Sequence, residues 1–100
     1  MNLYKLHNDA KNVLDDYKNM IILAHVSIKD VDDYGDTEYK NVFGVVHRDD
    51  GPAYITLGGT EYWYKYGKKH RTDGPAVIYA NGDVEYWLDD NRISNTRFTR

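Results

Sequence analysis

The stretch HRDDGPA at residues 47–53 returns as HRTDGPA at residues 70–76, and sliding the chain on itself by 23 positions extends the match in both directions. Gly35-Asp36-Thr37-Glu38-Tyr39 falls on Gly58-Gly59-Thr60-Glu61-Tyr62, Gly44 on Gly67, Ile55 on Ile78 and Gly59 on Gly82. One inserted residue near Val84 then brings Glu61-Tyr62-Trp63 onto Glu85-Tyr86-Trp87. Two near-complete units and a degenerate leading one fill residues 35–93. Self-similarity at this period means a supersecondary unit that cannot bury its apolar side alone and has to stack against its own copies.

Each unit reads as two short strands. Residues 53–57 and 76–80 alternate or run apolar, and Gly58-Gly59 and Asn81-Gly82 supply the positive φ of a tight hairpin. Residues 60–66 and 83–88 then return. Gly67 and Asn91 are expected to be the left-handed residues of the following turn, and the Asp-Gly-Pro of each corner cannot lie inside a central strand. Upstream, Asn8 can cap a helix over residues 9–20, because Ala10, Val13, Leu14 and Tyr17 fall on one helical face. The β-branched run at residues 21–28 reads as a strand, and IKDVDDYGD (residues 28–36) as an acidic loop. The expected fold is α+β but mainly β: an antiparallel meander of repeated hairpins with one N-terminal helix. One domain is expected over residues 1–100, with helix, strand and acidic loop in 1–34, repeats in 35–93 and a tail in 94–100.

The 100 residues carry no cysteine, which removes disulfides, thiolate metal sites and cysteine nucleophiles and fits a reducing cytoplasm. The apolar run at residues 20–24 is far short of the ~20 residues of a membrane helix, and the N-terminus has no signal-peptide core, so a soluble chain is expected. The net charge of −3 suits neither a duplex-binding domain nor a nucleic-acid mimic.

The order HR-x-DGPA, strand, Asn-Gly or Gly-Gly turn, EYW, Gly-Lys turn and HR again resembles the MORN-like repeats found in phage and giant-virus proteins, and in style those of YwqK-family antitoxin proteins. The resemblance covers residues 35–93. It implies chained β-hairpins with a binding or scaffolding role. The leading unit departs from it by lacking Trp and DGPA, and Ser94-Asn95 stands where His-Arg would follow, as at the end of an array.

His47 and His70, each followed by Arg and a nearby Asp, have the ingredients of phosphodiester chemistry. A catalytic set is built once from unlike residues, however, whereas residues recurring with the period of the fold belong to its corners. His47, Arg48, Asp50, Gly51, Pro52 and their copies His70, Arg71, Asp73, Gly74, Pro75 are therefore read as structural, with each Asp able to pair with its Arg. No H-x-x-x-H or EF-hand spacing occurs and Gly58-Gly59 opens no helix, so no metal, cofactor or catalytic residue is assigned.

The aromatic strands are the candidate binding surface. Alternation sets Tyr62, Tyr64 and Tyr66 on one face and Glu61, Trp63 and Lys65 on the other. In the register with the inserted residue, Val84, Tyr86 and Leu88 repeat the first face and Glu85, Trp87 and Asp89 the second. A small sheet with one helix cannot cover both, so one aromatic row is expected to stay exposed among charges, as in a protein interface. The expected contact residues are Trp63, Trp87, Tyr64, Tyr66, Glu61, Glu85 and Lys65, with Asp32, Asp33 and Asp36 of the acidic loop. The expected function is non-enzymatic protein binding. The phage-type resemblance points further, to a virus-encoded inhibitor of a host defence protein, of the anti-CRISPR or a related counter-defence kind. A self-assembling repeat protein and a His-Arg enzyme acting on nucleotides or nucleic acid are the alternatives. Stacking rings near Lys65, Lys68, Lys69 and Arg71 also permit a single-strand platform, which the acidic balance opposes.

Overall fold

The structure is a computed structural model, which describes Lys18, Met20 and residues 22–94. Among the described residues nine short strands follow one another: β1 Ile28–Val31, β2 Thr37–Lys40, β3 Tyr54–Ile55, β4 Glu61–Tyr62, β5 Tyr64–Lys65, β6 Lys68–Lys69, β7 Val77–Ile78, β8 Val84–Leu88 and β9 Asn91–Ile93. Seven form one sheet in the order β1-β2-β3-β4-β7-β8-β9, β5 and β6 form a hairpin, and every pairing is antiparallel. The mainly β meander of hairpins expected from the repeat is thus present.

The expected helix over 9–20 lies outside the described residues except for Lys18 and Met20. The strand expected over 21–28 does not form as such. Ile22 and Leu23 are helical, the Ala24 N–H donates to the Met20 carbonyl at 3.0 Å, and β1 begins only at Ile28. A short apolar run has no period that separates helix from strand. The expected acidic loop is itself half strand. Its first four residues are β1, and the turn at 32–36 is tied by Asp32, whose Oδ1 accepts the N–H groups of Tyr34 (2.9 Å) and Asp36 (3.0 Å).

The corner HRxDGPA is a bulge in the returning strand of each hairpin. Trp63 stands between β4 and β5: its N–H donates to the Ala76 carbonyl (2.7 Å) and its carbonyl accepts the His70 N–H (3.1 Å). Tyr39 does the same with Ala53 (2.7 Å) and His47 (3.0 Å). Residues 71–75 therefore loop out between the two halves of a strand whose ends stay in register, and the Pro sits where no ladder N–H is needed.

The register corrects the sequence alignment at both ends. Ile55 pairs with Glu61 and Ile78 with Val84 across turns of equal length, so there is no inserted residue near Val84. Trp63 is consequently equivalent to Tyr86, and Trp87 to Tyr64; the two EYW triplets are out of phase by one residue and point to opposite faces. The left-handed residues of the last turn are Asp89 (φ 48°) and Asp90 (φ 67°), matching Tyr66 (φ 50°) and Gly67 (φ 82°), while Asn91 lies in β9. In the leading unit the 32–36 turn closes like 56–60, an offset of 24 from Asp32 to Thr56. The longer turn between Lys40 and Val46, set against Tyr64 and Lys69, restores 23 at His47.

Little of the described chain is fully buried. Ala53, Ala76, Val77 and His47 are at 0% exposure, joined by Asn41 and Gly51. A single-layer array has no thick interior, so its stability has to come from contacts between successive units.

Candidate interaction face and the repeat corners

Cross-strand partners point to the same side of a sheet, so the pairings sort the side chains without ambiguity. One face carries the unbroken row Asp30, Glu38, Tyr54, Tyr62, Val77 and Glu85. By alternation Tyr64 and Trp87 share that face, with Lys69 opposite Tyr64 and Arg92 opposite Trp87. The other face carries Val31, Thr37, Ile55, Glu61, Ile78 and Val84, together with Tyr39, Trp63 and Lys65.

On the first face Tyr54 and Tyr62 meet edge to face with centroids 5.9 Å apart, and Tyr62 and Tyr64 lie at 6.4 Å. The Lys69 ammonium sits 3.8 Å from the centre of the Trp87 ring. Trp87 donates its indole N–H to Glu85 Oε1 at 2.9 Å, and the Tyr79 hydroxyl donates to Oε2 at 2.9 Å. The Trp87 bond above all, with that of Tyr79 and the charges of Arg92 and Lys69, holds the Glu85 carboxyl below its ordinary range against the opposing effect of burial. The bond to Glu85 pushes the Tyr79 phenol up, and that to Asp36 does the same for Tyr54; burial raises Tyr64, with Asp90 adding to it.

The second face is where the corners close. The Arg48 guanidinium lies 4.0 Å from the Tyr39 ring centre, donates from Nε to Asp50 Oδ1 at 3.3 Å and from Nη1 to the Pro52 carbonyl at 3.1 Å. Arg71 repeats this on Trp63 (4.0 Å), Asp73 (3.0 Å) and Pro75 (3.1 Å). A Cβ on Gly51 or Gly74 would come 3.0 Å from the guanidinium carbon, so glycine at these positions serves close approach of the arginine rather than a special φ. Arg, Asp, Gly and Pro of the motif thus have assigned structural work.

The histidines close the next turn: His47 Nδ1 accepts the Tyr66 N–H at 3.0 Å, and His70 Nδ1 accepts the Asp89 N–H at 3.1 Å. Around His47 gather His25, whose Nδ1 is 3.2 Å from Asp49 Oδ2, Lys65, 3.6 Å from Asp49 Oδ1, and Tyr66, whose ring lies 4.3 Å from that of His47. His25, His47 and Asp49 are close enough together to be tested as metal ligands. They do not fit. A ring whose Nδ1 accepts an amide N–H carries its proton on Nε2, which removes that nitrogen from a ligand set.

The predicted contact residues are therefore distributed over several places. Tyr64, Trp87 and Glu85 share the first face; Trp63, Glu61 and Lys65 lie on the second, with Trp63 under Arg71. Tyr66 leaves the tyrosine row, because a left-handed turn residue breaks the alternation. Asp32 caps its own turn, Asp36 binds the Leu57 N–H (2.8 Å) and the Tyr54 hydroxyl (3.0 Å), and Asp33 is exposed. Sequence reasoning missed Tyr54 and named Lys69 only for a single-strand platform; counting outward from each turn would have placed them opposite Tyr62 and Tyr64. It also missed Tyr34 (81% exposed) and Leu57 (75%), the adjoining tips of two turns. Nothing in the sequence signals the meeting of His25 with Asp49. Compared with family models, curated proteins and solved structures, the chain matches none of them. Among the described residues no helix is long and apolar enough to cross a membrane.

Proposed function

We propose that the chain is a non-enzymatic protein-binding module whose contact surface is the face bearing Tyr54, Tyr62, Tyr64 and Trp87. The observation that carries this reading is the row of half-buried rings on one face, with Tyr62 touching Tyr54 and Tyr64, Lys69 over Trp87, and Glu38 and Glu85 alongside. Amphipathic rings in a fixed row, with charges at the margin, make the centre and rim of a protein interface. The engagement of both corner histidines with backbone amides of the turns supports a role without catalysis.

The finer reading rests on the resemblance of the repeats to those of phage and giant-virus proteins. On that footing the partner is a host protein or complex, the chain acts in the host cytoplasm, and the outcome of binding is inhibition of a defence system.

The test uses Tyr64→Ala and Trp87→Ala, each checked for unchanged circular dichroism and melting. A partner captured from bacterial lysate by the parent chain, once purified, should bind each variant roughly 30-fold more weakly, the equivalent of ~2 kcal/mol for a central anchor. Undiminished affinity of both folded variants overturns the assignment of the face. A light-scattering mass of an oligomer, with no host protein captured, favours self-assembly instead.

A further inference from the structure

We propose that His47 is an acid-sensitive lock on the Tyr66–Gly67 turn, holding the turn closed as a neutral imidazole and releasing it on protonation. The lock is the bond from the Tyr66 N–H to His47 Nδ1, 3.0 Å long. An imidazole nitrogen accepts only while unprotonated. Adding a proton turns Nδ1 into a donor facing another donor, and the bond is lost.

The turn needs that bond. Tyr66 has φ 50°, a conformation in which a bulky residue is strained, and its N–H bond to His47, the packing of its ring on His47 and the Gly67 N–H bond to the Val46 carbonyl (2.8 Å) hold it there. Its hydroxyl also rests on His25, 2.7 Å from Nε2, so an opened turn lets go of the segment that precedes β1.

The groups facing His47 pull in both directions. Asp49, from the same corner, has Oδ1 3.0 Å from Nε2 and favours the imidazolium. That nitrogen is fully buried and makes no hydrogen bond, so the carboxylate is close but out of line. His25, with its ring centre 5.6 Å away, and Lys65 of β5 oppose a further positive charge, as does burial. From β2 the facing ring is Tyr39, which is covered by Arg48. Burial is the largest influence, and it holds the His47 pKa below the ordinary 6.5. A depressed histidine pKa means the folded state binds its proton less well than the unfolded one. The contribution is whole above 6.5 and is lost as the pH falls from there towards the folded-state value.

His70 supplies an internal contrast. It accepts the Asp89 N–H in the same way, but the Asp89 carboxylate also lies 3.4 Å from the same Nδ1, a second group of the turn beside the ring. Tyr66 has no carboxylate to offer at that position. The two locks share a geometry and differ in the side chain that the turn residue sets beside the ring.

The experiment follows amide hydrogen exchange by NMR in the full 15N-labelled chain from pH 7.5 to 5.5. The protection factor of the Tyr66 amide should fall by up to tenfold per pH unit below about 6.5, the limit for uptake of one proton. His47→Asn, whose Oδ1 can accept the same amide without titrating, should abolish the fall. A Tyr66 amide whose protection does not change with acid, or a His47→Asn chain as acid-sensitive as its parent, overturns the proposal.

Discussion

The Arg71 guanidinium carbon lies 4.0 Å above the centre of the Trp63 ring. Gly74 stands against the same guanidinium, so close that a Cβ there would come 3.0 Å from its carbon. An aromatic ring from the strand, and an arginine and a glycine from the bulge, thus stack together in one clamp, fastened by Asp73 and the Pro75 carbonyl. The same stack occurs with Tyr39, Arg48 and Gly51. In a sheet with few fully buried residues, this clamp stands in for a core.

Replacing Gly74 by Ala should destabilise the chain by about 1–3 kcal/mol, the usual cost of overpacking. Arg71→Lys should cost about 1–2 kcal/mol, since an ammonium loses the planar stack and the two-point bonding. Urea denaturation measures both. In a chain that already carries Arg71→Ala, the penalty of Gly74→Ala should largely vanish, because the clash needs the guanidinium; additive effects would contradict the stack.

The two tryptophans should separate. Trp63→Ala removes the floor of a clamp and is expected to lower stability by about 2 kcal/mol in denaturant titrations. Trp87→Ala, on the opposite face, should lower stability less while weakening partner binding. Equal stability losses would mean that the two rings do the same work.

How far the sequence could be read follows from this arrangement. The period was legible because the clamp demands Arg, Asp, Gly and Pro at fixed offsets, and so was the pairing of each Arg with its Asp. Phase was not legible. Matching EYW to EYW is the better alignment of letters, but turn length sets register, and the turns at 56–60 and 79–83 are equal. One residue of misalignment exchanged the faces of Trp87 and Tyr86. Asp32 and Asp36 serve turns, a local use that composition does not distinguish from a binding patch. The cluster of His25, Asp49 and Tyr66 joins residues from three segments, which no spacing rule reports.

His47→Ala and His70→Ala should both destabilise, and unequally. His47 is at 0% exposure and would leave a cavity as well as an orphaned amide, for about 2–4 kcal/mol, whereas half-exposed His70 should cost about 1 kcal/mol. Thermal melting with denaturant titration measures this. A His70→Ala chain of unchanged stability that lost turnover of a phosphodiester would instead revive the catalytic reading.

Glu85 sets an acid limit on the face that carries Tyr62, Tyr64 and Trp87. Its carboxylate accepts from Trp87 and Tyr79, and these bonds hold its folded-state pKa below the ordinary 4.5. A depressed carboxyl pKa means that the unfolded chain binds the proton more tightly, so the stabilisation is fully present above 4.5 and is lost as the pH falls through the folded-state value. Trp87 fluorescence should therefore shift in a transition centred below pH 4.5, as the indole N–H loses its charged acceptor. Glu85→Gln keeps an acceptor oxygen without the charge, so it should be less stable than the parent at neutral pH and equal to it at low pH. A transition centred above 4.5, or a Glu85→Gln difference that does not shrink with acid, would show that the carboxylate is not held by these bonds.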